Sequence, residues 1–371
     1  MSRSFLTPAA ALFCLAALAG PAGATDDTDA SLRTAIAGTA TPAITMLVMR
    51  DGKIAETGVA GVRRNDKSDP ARIDDAWLIG SDAKPMTAAL IARLVDRGVL
   101  SWDAPLSLML PELAAGMRPE YRSVTLVQLL SHRAGLPENL SDMAYFNTFY
   151  ADPRPPREQR MAYLARAVAE APGGPAGTFS YSNTGFLLAA AIAEHAAGAS
   201  YEDLVRREVF QPLGMTSVAF GTTGDGEPQG HHAGKPATLT DANPLMFAPA
   251  GNLHLTMRDW AAFCLDQMAG YHGGGKLLKP ATYRMMETRL PGTEGGLAWG
   301  VRDSLAGRKG PVLMHAGSDG NWYAVVALFP ETQNGILAAA NAGEDMGGDA
   351  AVKAAMMAVL PGLAPAADPT P

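Results

Sequence analysis

Strand-like sequence sits at the two ends of the chain, and this distribution limits the fold more than any other feature. Residues 43–50 (AITMLVMR) run apolar, Asp51-Gly52 follows, and residues 54–62 alternate again, the pattern of a β-hairpin. Further strand-like runs come at 297–302, 311–315, 322–330 and 335–341, followed by a helical pattern over 349–360. A short apolar piece at 77–80 apart, the chain between reads as helices separated by Pro- and Gly-rich loops, at 125–132, 157–170, 185–197, 201–210, 256–268 and 280–287. Strands need paired neighbours, so the two ends are expected to build one antiparallel sheet with a mostly helical lobe inserted between them, an α/β fold of the α+β type. The α/β lobe is expected over about 25–80 and 250–361 and the helical lobe over about 81–249, in one domain of residues 25–361. The cleft between lobes is the expected place for a site.

The chain has 371 residues, 47% hydrophobic and 18% charged, enough apolar sequence to bury a sizeable core. Thirty Lys and Arg stand against 37 Asp and Glu, a net charge of −7, which argues against a nucleic-acid partner. Residues 1–24 read as a secretory signal: Arg3, an apolar run at 9–18, and Ala22-Gly23-Ala24 ahead of the expected cleavage after Ala24. That apolar run is too short to span a bilayer, so a periplasmic or secreted protein without a membrane anchor is expected. Phe13 before Cys14 does not suit lipidation. Cleavage would leave Cys264 alone, without a disulfide partner, as a buried small hydrophobe on a helix. The Ala- and Pro-rich tail, 362–371, is expected to be disordered.

Ser81 and Lys84 stand three residues apart at the start of the helical pattern that follows residues 77–80. Side chains at i and i+3 of a helix share a face with Cβ atoms about 5–6 Å apart, so the amine can reach the hydroxyl. Burial and the positive end of the helix both favour the neutral amine, the form a base needs. Taken alone, the pattern also fits a serine near a helix start with an exposed lysine one turn on. Tyr181-Ser182-Asn183 offers a phenol as a proton shuttle and an amide to orient Lys84 and substrate. Tyr145-Phe146-Asn147 has the same spacing. Tyr181 is preferred because it follows a Pro/Gly turn and opens directly into a helix. His315-Ala316-Gly317 ends an apolar strand, whereas the other two H-x-G triplets, at His232 and His272, lie in Gly-rich loops. Gly317 would let substrate approach the backbone, where the Ser318 and Ser81 amides could face a developing oxyanion.

These three elements, in this order and on these supports, resemble the serine β-lactamase and penicillin-binding protein superfamily, in its class C-like branch. The resemblance covers nearly all of the chain after residue 24. It includes IGSDAKPMTAALIARLVDRGVLSWDAPL, TLVQLLSHRAGLP, FSYSNTGFLLAAAIAEHAAG, VFQPLGMTSVAFG and PAGNLHLTMRDWAAF. It implies a β-lactamase/transpeptidase-like fold, Ser81 as an acylated nucleophile, Lys84 and Tyr181 as the proton-transfer pair, and Asn183 as an orienting amide. His315 stands in the third motif where class C β-lactamases carry lysine, as in some DD-peptidases, D-aminopeptidases and esterases of this branch. Mostly neutral at pH 7, a histidine attracts a substrate carboxylate less than lysine does. Asp82 is expected to face solvent.

The expected function is therefore an exported serine hydrolase of esters, amides or peptidoglycan-type peptides, an esterase or D-amino-acid peptidase before a β-lactamase. The competing expectation is a penicillin-recognising binding or sensor protein with little turnover. No cofactor or metal is expected. The segment 270–276 fits G-x-x-x-x-G-K, but Leu277 replaces the magnesium-binding Ser/Thr and a helix precedes it. His231-His232 sits in a loop without ligand spacing, and there is no G-x-S-x-G elbow.

Overall fold

The computed structural model describes residues 23–224, 226–238, 241–293 and 295–367. Residues 1–22, with most of the expected signal sequence, lie outside the described residues. The strands in chain order are β1 (Ala43–Arg50), β2 (Lys53–Gly61), β3 (Ala76–Leu78), β4 (Ala219–Phe220), β5 (His231–His232), β6 (Lys235–Pro236), β7 (Leu253–Thr256), β8 (Gly300–Leu305), β9 (Arg308–Ser318), β10 (Tyr323–Phe329) and β11 (Asn334–Ala340). The longer helices are α1 (Gly23–Ile36), α2 (Lys84–Asp96), α3 (Leu126–Leu130), α4 (Pro156–Ala167), α5 (Asn183–Ala197), α6 (Met257–Tyr271), α7 (Pro280–Glu287) and α8 (Gly348–Val359).

The N-terminal hairpin turns at Asp51 and Gly52, both at positive φ as a type I′ turn requires. Its β1 then pairs antiparallel with β11, Ile44 opposite Ala340 and Leu47 opposite Leu337, so the two ends of the chain close one six-stranded sheet in the order β2-β1-β11-β10-β9-β8. Alternation along β1 divides the core in two. Ile44, Met46 and Val48 pack with Leu32 of α1 and Val352 and Met356 of α8 on one face. Ala43, Leu47 and Met49 join the larger core shared with the helical lobe on the other. Covered on both faces, β1 and β11 are buried almost throughout, which is why they read as unbroken apolar runs.

In the helical lobe, α5 is apolar all round and is buried from Thr184 to Glu194. Ser182 caps its start by accepting from Gly185 N, and Gly198 at φ 66° ends it. Each fully buried side chain such as Phe186, Leu188 or Ile192 contributes about 1.5–3 kcal/mol, which makes α5 a rigid support for the residues at its N-terminus.

Four details differ from expectation. The piece at 77–80 is β3, but it pairs with β7 in a separate three-stranded sheet, β3-β7-β4. The strand expected at 297–302 begins at Gly300, because Ala298 takes a positive φ in a buried turn first. The helix expected at 201–210 changes to a π-helical turn over Arg206–Phe210. The expected disorder of 362–371 does not hold for its first part. Leu363 is fully buried, Lys309 N donates to Pro365 O and Ala367 N to Gly307 O, because the β8–β9 hairpin offers unpaired backbone groups and an apolar ledge. Residues 368–371 lie outside the described residues.

Candidate active site

Ser81 lies where β3 runs through a 3₁₀ turn, Gly80–Ala83, into α2. The end of β9 presses against this turn. A Cβ at Gly317 would collide with Ile79 O and stand 2.7 Å from Ser81 N, and a Cβ at Gly80, which sits at φ +51°, would stand 2.6 Å from Ser318 N. Only glycine permits both approaches. They bring the Ser81 and Ser318 backbone into one space, although the two residues belong to opposite ends of the sequence.

Lys84 Nζ and Tyr181 OH each lie 2.9 Å from Ser81 Oγ. Lys84 is fully buried, its Nζ also donates to Ala250 O at 2.5 Å and stands 4.9 Å from the centre of the Tyr181 ring. Burial brings its pKa down to about 7, against the opposing pull of Asp82 and Glu138. Burial pushes the Tyr181 phenol the other way, well above its ordinary value, so it keeps its proton at neutral pH. Lys84 is thus the member of the pair able to accept a proton, and Tyr181 the member able to donate one. The rival Tyr145 is on a short helix, Met143–Asn147, with its OH on Ala162 O.

Asn183, at the first position of α5, shares a chamber with Ser81, but its Nδ2 donates to Asn139 Oδ1 at 3.0 Å rather than orienting Lys84. His315 lies on β9 opposite Val326, with Nδ1 2.9 Å from Ala316 O and 3.3 Å from Asp82 Oδ1. Here Asp82 corrects the expectation of solvent exposure: it is 1% exposed. Its 3₁₀ turn is pinned under β9, so the residue after Ser81 is directed inward toward His315. Neither carboxylate oxygen has a hydrogen-bond partner among the described residues, and burial moves the group from 3.8 up to about 6, with His315 and Lys84 pulling back.

Two cavities flank these residues. One, about 560 Å³, runs between Tyr181 and His315 and is walled by Phe179, Trp299 and Met314. The other, about 270 Å³, contains Ser81, Asn139, Asn183 and Ser318.

A family model described as beta-lactamase matches residues 28–360. The chain belongs to the beta-lactamase family. It is 31% identical over 180 residues to the D-alanyl-D-alanine-carboxypeptidase/endopeptidase AmpH of Escherichia coli K12, covering 48% of this chain and 46% of that protein. It is 33% identical over 183 residues to the esterase EstB of Burkholderia gladioli, covering 47% and 46%. These alignments span about half the length of each relative. The fold is shared with a D-stereospecific amidohydrolase from Streptomyces, at TM-score 0.72 and 22% identity over 90% of this chain and 98% of that one. The beta-lactamase-family fold thus holds serine hydrolases of several kinds.

Sequence reasoning missed the residues that only tertiary structure brings in. His132, at φ 57°, stacks on Tyr181 with ring centres 4.3 Å apart and accepts Ser182 N on Nδ1 at 3.0 Å. Burial lowers its pKa to about 3, so it packs as a neutral ring that fixes the Tyr181 ring plane. The one local signal was its position in the quoted TLVQLLSHRAGLP block. Ala250 O and Asn139 carried no signal of their own. The sequence motifs set aside are structural: the glycines at 270 and 275 make room for the Tyr283 ring, and His231 is buried between Asn65 N and Asn341 O. Cys264 is buried on α6, as expected.

Proposed function

We propose that this member of the beta-lactamase family is a serine hydrolase that works through an acyl-enzyme on Ser81, with esters or D-amino-acid amides as substrates. The carrying observation is the pair of 2.9 Å contacts from Lys84 Nζ and Tyr181 OH to one serine oxygen. With Lys84 neutral, its contact with Ser81 reverses and the serine O–H donates to the Nζ lone pair. Oγ then bonds to the carbonyl carbon while the Ser81 and Ser318 amides face the oxyanion. The bond to the leaving group breaks as Tyr181 OH gives that group its proton, and the Lys84 ammonium restores the proton to the pair. Water, deprotonated by the same pair, cleaves the ester to release the acid and free Ser81.

The test is intact-mass spectrometry of wild type and Ser81→Ala after brief mixing with 4-nitrophenyl acetate, with nitrophenol release followed on the same samples. An acetyl adduct on wild type alone, with many turnovers, is expected. An adduct without turnover would instead mark a binding or sensor protein, and no adduct would remove Ser81 as nucleophile.

We further propose export with cleavage after Ala24. Buried Thr28, Asp29, whose carboxylate accepts Val59 N, and buried Leu32 all lie C-terminal to the proposed cleavage point. Among the described residues no helix is long and apolar enough to cross a membrane. N-terminal sequencing of the protein recovered outside the cytoplasm checks this, with Thr25 expected first.

A further inference from the structure

Lys84 is held from two sides, and only one of them is Ser81. The other is a single buried helical turn, Ala248–Gly251, which lies against α2 and brings Ala250 O to 2.5 Å from Nζ. The last carbonyls of so short a helix have no partner within it and must be satisfied from outside. Two side chains of α2, three residues apart on one face, do so in succession. Lys84 Nζ donates to Ala250 O, and Thr87 Oγ1 donates to Pro249 O at 2.8 Å.

Thr87 is fully buried. A helical threonine can bond back to the preceding turn of its own helix, but this one reaches across to the neighbouring segment. Its hydroxyl has one proton, and Pro249 O receives it, so the 2.8 Å contact with Tyr201 OH is a bond that the phenol donates. Tyr201 is fully buried in turn, with its backbone amide on Glu194 Oε1 and the Arg160 guanidinium 5.5 Å from the centre of its ring. Two hydroxyls thus link this charged network to the peptide that Lys84 bonds. Neither Thr87 nor Tyr201 lines either cavity beside Ser81.

We propose that Thr87, backed by Tyr201, is a positioning residue for Lys84: it fixes the Pro249–Ala250 peptide so that Ala250 O takes one N–H of the amine and the lone pair is left facing Ser81. The assignment rests on Lys84 being the base that serves Ser81. With one N–H fixed, rotation about the Cε–Nζ bond is arrested. The same carbonyl favours the ammonium over the amine, so its orientation bears on both the alignment and the basicity of Lys84.

The experiment is the pH profile of kcat/KM for 4-nitrophenyl acetate in wild type, Thr87→Val, Thr87→Ser and Tyr201→Phe. Thr87→Val keeps the shape and removes the hydroxyl, which frees the peptide to turn. The plateau is expected to fall about tenfold or more, and the acid limb to move to lower pH because the ammonium loses its carbonyl. Asp82, Glu138, His132 and Tyr181, the other titratable groups around Lys84, are unchanged in these variants. Misfolding alone scales the plateau and leaves the limb in place. Thr87→Ser restores the donor and is expected to return both readings to near wild type. Tyr201→Phe takes away the bond that Thr87 accepts, is expected to show the same shift in smaller measure, and decides the matter if Thr87→Val does not fold. A limb unmoved in both Thr87→Val and Tyr201→Phe, or a Thr87→Ser variant as impaired as Thr87→Val, overturns the proposal. An acetyl adduct on wild type with an unmoved limb refutes the positioning role alone. No adduct on wild type, or near-normal turnover by Lys84→Ala, refutes the proposed function and this assignment together.

Discussion

Replacing Asp82 by asparagine tests two consequences of one buried charge. A carboxyl whose pKa moves from 3.8 to about 6 on folding is harder to ionise in the native state. The cost is absent below pH 3.8, grows between 3.8 and 6, and is complete above 6, where it amounts to about 3 kcal/mol. The attraction of His315 at 3.3 Å and of Lys84 is already contained in that balance and does not outweigh burial. Asp82→Asn, similar in shape and uncharged, is therefore expected to be more stable than wild type by up to about 3 kcal/mol at pH 7, or about 4 °C in Tm for a chain of this size, and nearly equal at pH 3.5. Removing the anion also removes what holds the Lys84 pKa as high as about 7. Near pH 6 about a tenth of the wild-type amine is neutral. A lower Lys84 pKa in the variant makes more of the amine neutral at that pH, so kcat/KM at pH 6, relative to each enzyme's own plateau, rises and the acid limb moves to lower pH. Urea unfolding at pH 3.5, 5 and 7, with a pH profile of kcat/KM, reads both. A variant less stable than wild type at pH 7, which would mean that the ion pair outweighs desolvation, or an acid limb displaced to higher pH, which would mean that Asp82 does not raise the Lys84 pKa, would refute the reasoning.

Lys84→Ala removes the base and is expected to lower kcat/KM by about 10²–10⁴-fold while far-ultraviolet circular dichroism stays that of the wild type; near-normal turnover would unseat the assignment. His315→Lys puts a fixed cation on the wall of the 560 Å³ cavity, so carboxylate-bearing substrates should gain in kcat/KM over neutral ones, and an unchanged ratio would count against a charge-recognising role for this position. Glu194→Ala strands Arg160, which is fully buried and holds Glu194 at 2.5 Å and Glu202 at 2.8 Å, at a cost of about 3–5 kcal/mol in chemical unfolding. Glu287 is buried without a hydrogen-bond partner among the described residues, and burial raises its pKa from 4.5 to about 9. Wild type should therefore lose about 1.4 kcal/mol per pH unit through that window, and the advantage of Glu287→Gln should grow from pH 5 to pH 8 in guanidinium unfolding.

What was legible in the sequence was local. Hairpin β1–β2 announced itself by Asp51-Gly52 between alternating runs, and α5 by an apolar stretch between Ser182 and Gly198. The pairing of Lys84 with Ser81 follows from three residues of helical geometry. The choice of Tyr181 over Tyr145 was harder, since identical spacing says nothing of where a hundred residues of intervening chain place a ring. Turn direction and cross-lobe contact stayed hidden. Asp82 looked like a surface acid because nothing adjacent to it shows that β9 closes over the turn, and His132 met Tyr181 only through a fold-back that its positive φ makes possible.

The glycines at 80 and 317 show how one contact fixes both the nucleophile and its surroundings. A Cβ at Gly80 would clash with β9 and one at Gly317 with the 3₁₀ turn, so the close approach of β9 to the turn depends on both. That approach sets the Ser318 backbone beside Ser81, and it also buries Asp82 against His315. The same closeness that the proposed oxyanion site between two amides requires therefore imposes a carboxylate in a dry place. A looser contact would relieve Asp82 and open the oxyanion pocket at once. Under the proposed mechanism, stability and transition-state binding pull on this turn in opposite directions, with the buried aspartate as the cost of the close contact.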